Sequence, residues 1–236
     1  MFSAALDLLL PRACARCGGD VRADAALCAP CAGMLPRLPL DGCWLCQTAS
    51  TGPDQRCAAC RHQRSPLLQI AAEAAFADDV AEWIHRFKYP ARGFAGLDPR
   101  PAAVVTALAC DAAWRLAAAA PTCVIPVPIH RMRLRVRGFQ PAAEVARAIG
   151  TALRLPIAER GLVALRETAS QTGLDRRARR RNVAGAFAVG NLPPARDCVA
   201  IVDDVVTTGA TLVECARVLR RAGVCQVVAV CAARTL

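Results

Sequence analysis

The chain is nearly without lysine: Lys88 is the only one, although Lys and Arg together number 30 of 236 residues. Aromatic residues make up 4%, and Trp44, Trp83, Trp114 and Tyr89 are scattered, so no base-stacking platform is legible. No G-x-x-x-x-G-K-[ST] string occurs, which removes the usual nucleotide-phosphate loop. No membrane-spanning run is present either, since the longest candidate, Ala102 to Ala120, contains Asp111 and Arg115. The apolar stretch Phe2 to Leu10 lacks a basic flank and is interrupted by Asp7; it reads as a short amphipathic helix rather than a secretory signal. A hydrophobic content of 55% is inflated by alanine, and the length suits one α/β domain of about 170 residues with a small appended module.

Cysteine, in contrast, is abundant and ordered. Four Cys-x-x-Cys knuckles, Cys14/Cys17, Cys28/Cys31, Cys43/Cys46 and Cys57/Cys60, write C-x2-C-x10-C-x2-C twice in tandem. Each knuckle aims two thiolates at one point, and two knuckles complete a tetrahedral zinc site. Two structural zinc ions are therefore expected, with the repeat occupying residues 1–62. The matched spacers favour pairing in order over interleaving. A disulfide scaffold and a thioredoxin-like motif fit four regular knuckles less well. His62, beside the last knuckle, is a spare ligand. The six later cysteines mostly sit in apolar runs and read as small buried hydrophobes.

From residue 66 to 236, apolar runs alternate with helical patterns. Strands are expected over 68–76, 123–127, 162–165, 199–202 and 224–230, and helices over 78–88, 102–119, 141–153 and 211–221. The acidic pair Asp78-Asp79 should cap the helix that starts there. This is the α/β pattern of a parallel sheet flanked by helices. The segment CVAIVDDVVTTGATL is its most informative part. Asp203 and Asp204 follow a buried strand, and Val205, Val206, Thr207, Thr208, Gly209, Ala210 and Thr211 lead into a helix. Hydroxyls, a glycine and a helix N-terminus form a phosphate cradle, and carboxylates beside it accept hydrogen bonds from vicinal hydroxyls. A sugar phosphate suits that pairing. A plain helix-capping turn is the competing reading.

The net charge of +11 is unevenly spread. Arg131, Arg133, Arg135 and Arg137 alternate after the turn Pro126-Val127-Pro128, so in an extended segment they share one face. There they suit pyrophosphate or a nucleic-acid backbone, with His130 as an adjoining contact. A second run, Arg176, Arg177, Arg179, Arg180 and Arg181, reads equally well as a solvated surface.

The order of these motifs resembles the ComF family: the knuckles, then VIPVPIHRMRLRVRGF, SQTGLDRRARRRNVAGAF and IVDDVVTTGATL. The acidic pair and Thr-Thr-Gly turn resemble the phosphoribosyl-pyrophosphate (PRPP) loop of type I phosphoribosyltransferases. The resemblance covers nearly the whole chain and implies a cytoplasmic phosphoribosyltransferase-like protein associated with competence and DNA uptake. By position, Asp203 and Asp204 would meet the ribose, Thr207 to Thr211 the 5′-phosphate, and the Arg131 to Arg137 segment the pyrophosphate, with Val205 also in the PRPP site. PRPP with magnesium, single-stranded DNA, and proteins of DNA uptake or recombination are the implied ligands and partners. An active transferase of nucleotide metabolism is the second reading, and no residue stands out as its general base. A nucleic-acid adaptor built on the zinc module is the third. The family usually has Asn-Gln after Arg-Gly-Phe, whereas Gln140-Pro141 stands here.

Overall fold

The computed structural model describes residues 13–21, 25–49, 55–90, 98–168, 176–194 and 196–236. The stretch Phe2 to Leu10 and the Gln171-Thr172 part of the third motif lie outside them.

The domain is built on strands β1 (Gln69–Ala75), β2 (Cys123–Pro126), β5 (Cys198–Val202), β6 (Val205–Val206) and β7 (Gln226–Arg234). They form a parallel sheet in the order β1-β7-β5-β2, with β6 also pairing β7. Alternate residues of β5 and β7 point to opposite faces, and both faces are buried. Val199, Ile201, Val227 and Ala229 enter one core; Ala200, Val202, Val228 and Val230 enter the other. This explains the continuous apolar runs, since a strand covered on both sides has no solvent face to mark with polar residues.

Two short helices, α1 (Ala29–Gly33) and α2 (Ala58–Arg61), belong to the cysteine-rich segment. Helices α3 (Asp78–Lys88), α4 (Arg100–Trp114) and α6 (Pro141–Leu153) pack on one face of the sheet through Trp83, Ile84, Phe87, Leu108, Val145 and Ile149. Helix α8 (Ala210–Arg221) covers the other face through Leu212, Cys215 and Leu219. Between α6 and β5 the chain adds β3 (Leu162–Ala164), α7 (Arg176–Val183) and β4 (Phe187–Val189). No helix among the described residues is long and apolar enough to cross a membrane.

The alternation expected from sequence holds, with four differences. The helix expected to Ala119 ends at Trp114, and Ala117–Ala119 is a separate 3-10 turn. β3 does not join the parallel sheet; it pairs antiparallel with β4, a three-residue strand too short to show a period. The acidic pair of α3 lies inside its first turn, where it favours the helix dipole, while Ala77 holds the cap position without a side-chain bond. The arginine segment 131–137 is not extended but a helix, α5 (Arg131–Arg137). His130 caps its start through Nδ1, and Gly138, at φ +82°, ends it in a left-handed conformation that a side chain would strain. At 100° per residue, alternate positions cannot share a face.

Candidate functional site

The tandem cysteine repeat is also a structural repeat. Cys14 N–H donates to Gly19 O (2.7 Å) and Cys43 N–H to Thr48 O (2.8 Å), closing two matching turns. Gly18 takes the left-handed position of the first and Gln47 that of the second. Cys28 and Cys57, in extended conformation, each start a short helix. The knuckles converge in order: Cys14, Cys17, Cys28 and Cys31 form one cluster and Cys43, Cys46, Cys57 and Cys60 the other, with all Sγ atoms of each within 4.8 Å. A tetrahedral zinc with bonds near 2.3 Å separates its sulfurs by about 3.8 Å. Cys17–Cys28 and Cys46–Cys57 Sγ distances are 3.7 and 3.5 Å, so both clusters can hold zinc. Burial pushes the Cys14 thiol up, but the N–H groups of Cys17, Cys28 and Arg16 outweigh it and bring it down to about 6. Cys43 likewise falls to about 6 against its burial, through N–H groups of Cys57, Cys46 and Leu45. Cys31 is pushed up to about 12, first by sharing a hydrogen bond with Cys28 and then by burial. Each cluster thus keeps protons on some thiols, which a metal would displace.

A cleft of about 510 Å³ opens near the C-terminal ends of β2 and β5. Parallel strands leave their carboxyl ends free for ligands, because the helices that follow them lean back across the sheet. Among its lining residues are Asp203, Asp204, Val205, Thr207, Gly209, Ala210 and Thr211. β5 stops at Val202 and β6 resumes at Val205 in unchanged register against β7, so the acidic pair interrupts one continuous strand rather than ending it. Asp203 N–H donates to Val230 O, and Asp204 O accepts from Ala232 and Ala233 N–H, which holds both residues to the central strand. Gly209, at φ +72°, turns the chain into α8, whose first residues, Ala210, Thr211 and Leu212, line the cleft. Thr208 does not line the cleft; its hydroxyl is buried and has no hydrogen-bond partner among the described residues.

Lys88, the lone lysine, reaches this site from the end of α3. Its Nζ lies 2.8 Å from Asp204 Oδ1, and Asp204 is 3% exposed. Burial lowers the ammonium's pKa, but the charges of Asp204 and Asp203 more than restore it, so the net direction is up. Asp203 is raised to about 7, first by burial and then by the charge of Asp204, against the opposing effect of Lys88. The two carboxylates are therefore unequal: one is ion-paired, the other sits near neutrality.

The helical form of α5 divides its arginines. Arg133 and Arg137, four apart, line the cleft; Arg131 and Arg135 are exposed and do not. Arg133 Nη2 donates to Thr168 O (2.6 Å), and the Arg137 guanidinium lies 4.8 Å over the Tyr89 ring. Phe139 packs edge-on against Phe87, so each residue of Arg137-Gly138-Phe139 has a separate task. Gln140 Nε2 donates to Val127 O (3.0 Å), tying the start of α6 to the end of β2 and giving the Gln140-Pro141 departure a structural role. His130 lines the cleft as well.

Arg166 and Arg179 add two further cations. Arg166 Nη2 donates to Asn182 O and Ala184 O, and Gly185 N–H donates to the buried Glu214 Oε1 of α8. The Asn-Val-Ala-Gly-Ala-Phe motif thus fixes the β3–β4 pair beside the cleft. Sequence reading missed Lys88, Tyr89 and Arg166 as site residues. A signal for the first was available: one lysine in an arginine-biased chain is a position where composition was overridden.

Fold and clusters together define the class: an α/β domain with a mostly parallel sheet, carrying paired tetracysteine clusters ahead of it. No family model matches the chain. Its sequence is 28% identical to competence protein F of Haemophilus influenzae over 215 residues, 89% of this chain and 92% of that protein. It is 29% identical to the DNA utilization protein YhgH of Escherichia coli O157:H7 over 223 residues, covering 94% and 90%. The corresponding Salmonella typhimurium protein is 27% identical over 210 residues, covering 89% and 91%. These homologues bear out the ComF-family resemblance carried by the motifs.

Proposed function

We propose that the cleft binds PRPP and that the protein acts in DNA uptake or utilisation, with single-stranded DNA as its partner. The observation that carries the reading is convergence. An acidic pair, a hydroxyl-rich loop at a helix N-terminus and the Arg133–Arg137 face meet in one cleft of small-molecule size. In this reading ribose hydroxyls donate to Asp203 and Asp204, and the 5′-phosphate meets Thr207 and residues 209–211 at the start of α8. The pyrophosphate lies toward Arg133 and Arg137, with magnesium neutralising part of its charge through ligand oxygens and water. The names of the relatives, competence protein F and DNA utilization protein, support the biological role. The exposed Arg131, Arg135, Arg177, Arg180 and Arg181 supply cationic surface for a phosphate backbone.

Titration with PRPP and magnesium, then with single-stranded DNA across a salt series, tests both halves. Saturable PRPP binding is expected, together with DNA binding that weakens steeply as salt rises. Robust release of pyrophosphate with a free nucleobase, and no DNA binding at moderate salt, would favour an active transferase of nucleotide metabolism instead.

A further inference from the structure

The two cysteine clusters are not equivalent in their surroundings. The first is peripheral: Cys17 is exposed, and the nearby Arg16 is already satisfied by Asp79 at 2.6 Å. The second is set into the core, where Cys43, Cys60 and Leu45 pack with Ile70, Ala72, Ala229 and Cys231. On this side the sheet ends in Arg234, the last residue of β7, which is only 8% exposed. Its side chain makes no ion pair or hydrogen bond among the described residues, and Nη1 is buried without a partner. A guanidinium so placed needs a negative partner, because unpaired charge is strongly disfavoured away from water. The ionisable groups whose charges act on it are cysteines: Cys46, Cys231, Cys60 and Cys43. Three of these belong to the second cluster. A zinc ion held by four thiolates keeps a formal double negative charge, the counter-charge that Arg234 lacks.

The backbone of Arg234 is engaged as well. It stands opposite Ala75 of β1 and Val206 of β6, its carbonyl accepts from Phe76 N–H, and Thr235 N–H donates to Val206 O. Val206 immediately precedes the Thr207–Thr211 loop. One residue thus joins the second cluster to the strand that carries the loop.

We propose that Arg234 is the counter-ion of the second tetrathiolate, and that zinc bound there fixes the end of β7 and with it β6. The inference rests on zinc filling the second cluster and stands independently of what the cleft binds. Groups that pair with the ligands of a metal orient those ligands and tune their basicity, and their loss typically weakens the site about 10–100-fold.

The test uses the full zinc-loaded chain and a chromogenic chelator that reports metal release. Release should be biphasic, with the slower phase from the second cluster, which a Cys14→Ser chain identifies. Arg234→Met should speed that phase about tenfold or more and leave the faster one unchanged. Arg234→Lys, which keeps the charge, should stay close to the parent. Hydrogen exchange in peptides spanning Val205-Val206 and Arg234-Thr235 should rise in Arg234→Met as it does when zinc is stripped. Absence of zinc from the second cluster, an unchanged slow phase in Arg234→Met, or equal loss from the Met and Lys variants would each overturn the proposal. Should Arg234→Met fail to fold, Arg234→Lys decides: retention of the second zinc supports the electrostatic role, and its loss contradicts it.

Discussion

Asp203 and Asp204 are chemically similar neighbours given different states by their surroundings. Lys88 forms an ion pair with Asp204, while burial and then the charge of Asp204 lift Asp203 to about 7. An acid whose folded pKa lies above its unfolded value binds the extra proton only when folded. The stability this contributes is present below the unfolded value, near 4, and is lost as pH rises through about 7. Asp203→Asn, which mimics the protonated form, should come closest to the parent in thermal stability near pH 4 and exceed it increasingly toward pH 8. A gain of about 1–3 kcal/mol is expected, read from melting across that range. A difference independent of pH would show that Asp203 is ionised throughout. Such a cost, carried by a residue of the cleft, is what a binding site imposes on a fold.

At the scale of elements, the arginine segment shows where pattern reading stops. Strict alternation of arginine is a period of two, and a period of two normally means extended chain. Here His130 caps a helix and Gly138 ends it, and those local terms prevail over the charge pattern. The result sorts four guanidiniums into an inward pair and an outward pair. Replacing Arg133 and Arg137 together with glutamine should weaken PRPP binding at least tenfold, since hydrogen bonds to charged groups contribute about 1.5–3 kcal/mol each. Replacing Arg131 and Arg135 should leave PRPP binding unchanged. It should also flatten the salt dependence of DNA binding, by about 0.7 in log–log slope for each DNA phosphate no longer neutralised. Paired binding curves check this; equal effects from the two pairs would contradict the division. The long buried strands and helices α3, α6 and α8 were legible because their periods were sustained. β4 was not, because three residues carry no period, and Arg166 was not, because its role is to hold main-chain carbonyls far away in sequence.

Across the whole molecule, the cysteine repeat has a task besides offering two metal sites. β1 is the edge of the parallel sheet, and an open edge is a site for unwanted pairing. The cysteine-rich segment covers it: Leu38 N–H donates to Glu73 O, Ala75 N–H to Pro36 O, Ile70 N–H to Trp44 O, and Gln47 Nε2 to Ala72 O. Arg115 and Arg37 meet across the buried Glu73 carboxylate, clamping the two parts together. The spacing of the knuckles made the clusters legible in sequence, but the backbone pairing that docks them to β1 leaves no residue signature. About two zinc ions per chain are expected by elemental analysis. Cys43→Ser should lower the melting temperature of the entire chain, whereas Cys14→Ser should cost less and leave PRPP binding largely intact. Equal losses from the two substitutions would show that the clusters contribute alike.

The central proposal is that the acidic pair and the loop behind it bind the ribose phosphate of PRPP. Calorimetric titration of PRPP with magnesium into the parent and the Asp203→Asn/Asp204→Asn chain, both confirmed folded by circular dichroism, tests it most directly. Each amide surrenders acceptor capacity toward a ribose hydroxyl, so the pair should weaken binding on the order of a hundredfold or more. Equal affinity in the two chains, or no binding by the parent, would contradict it and leave the loop as the cap of α8.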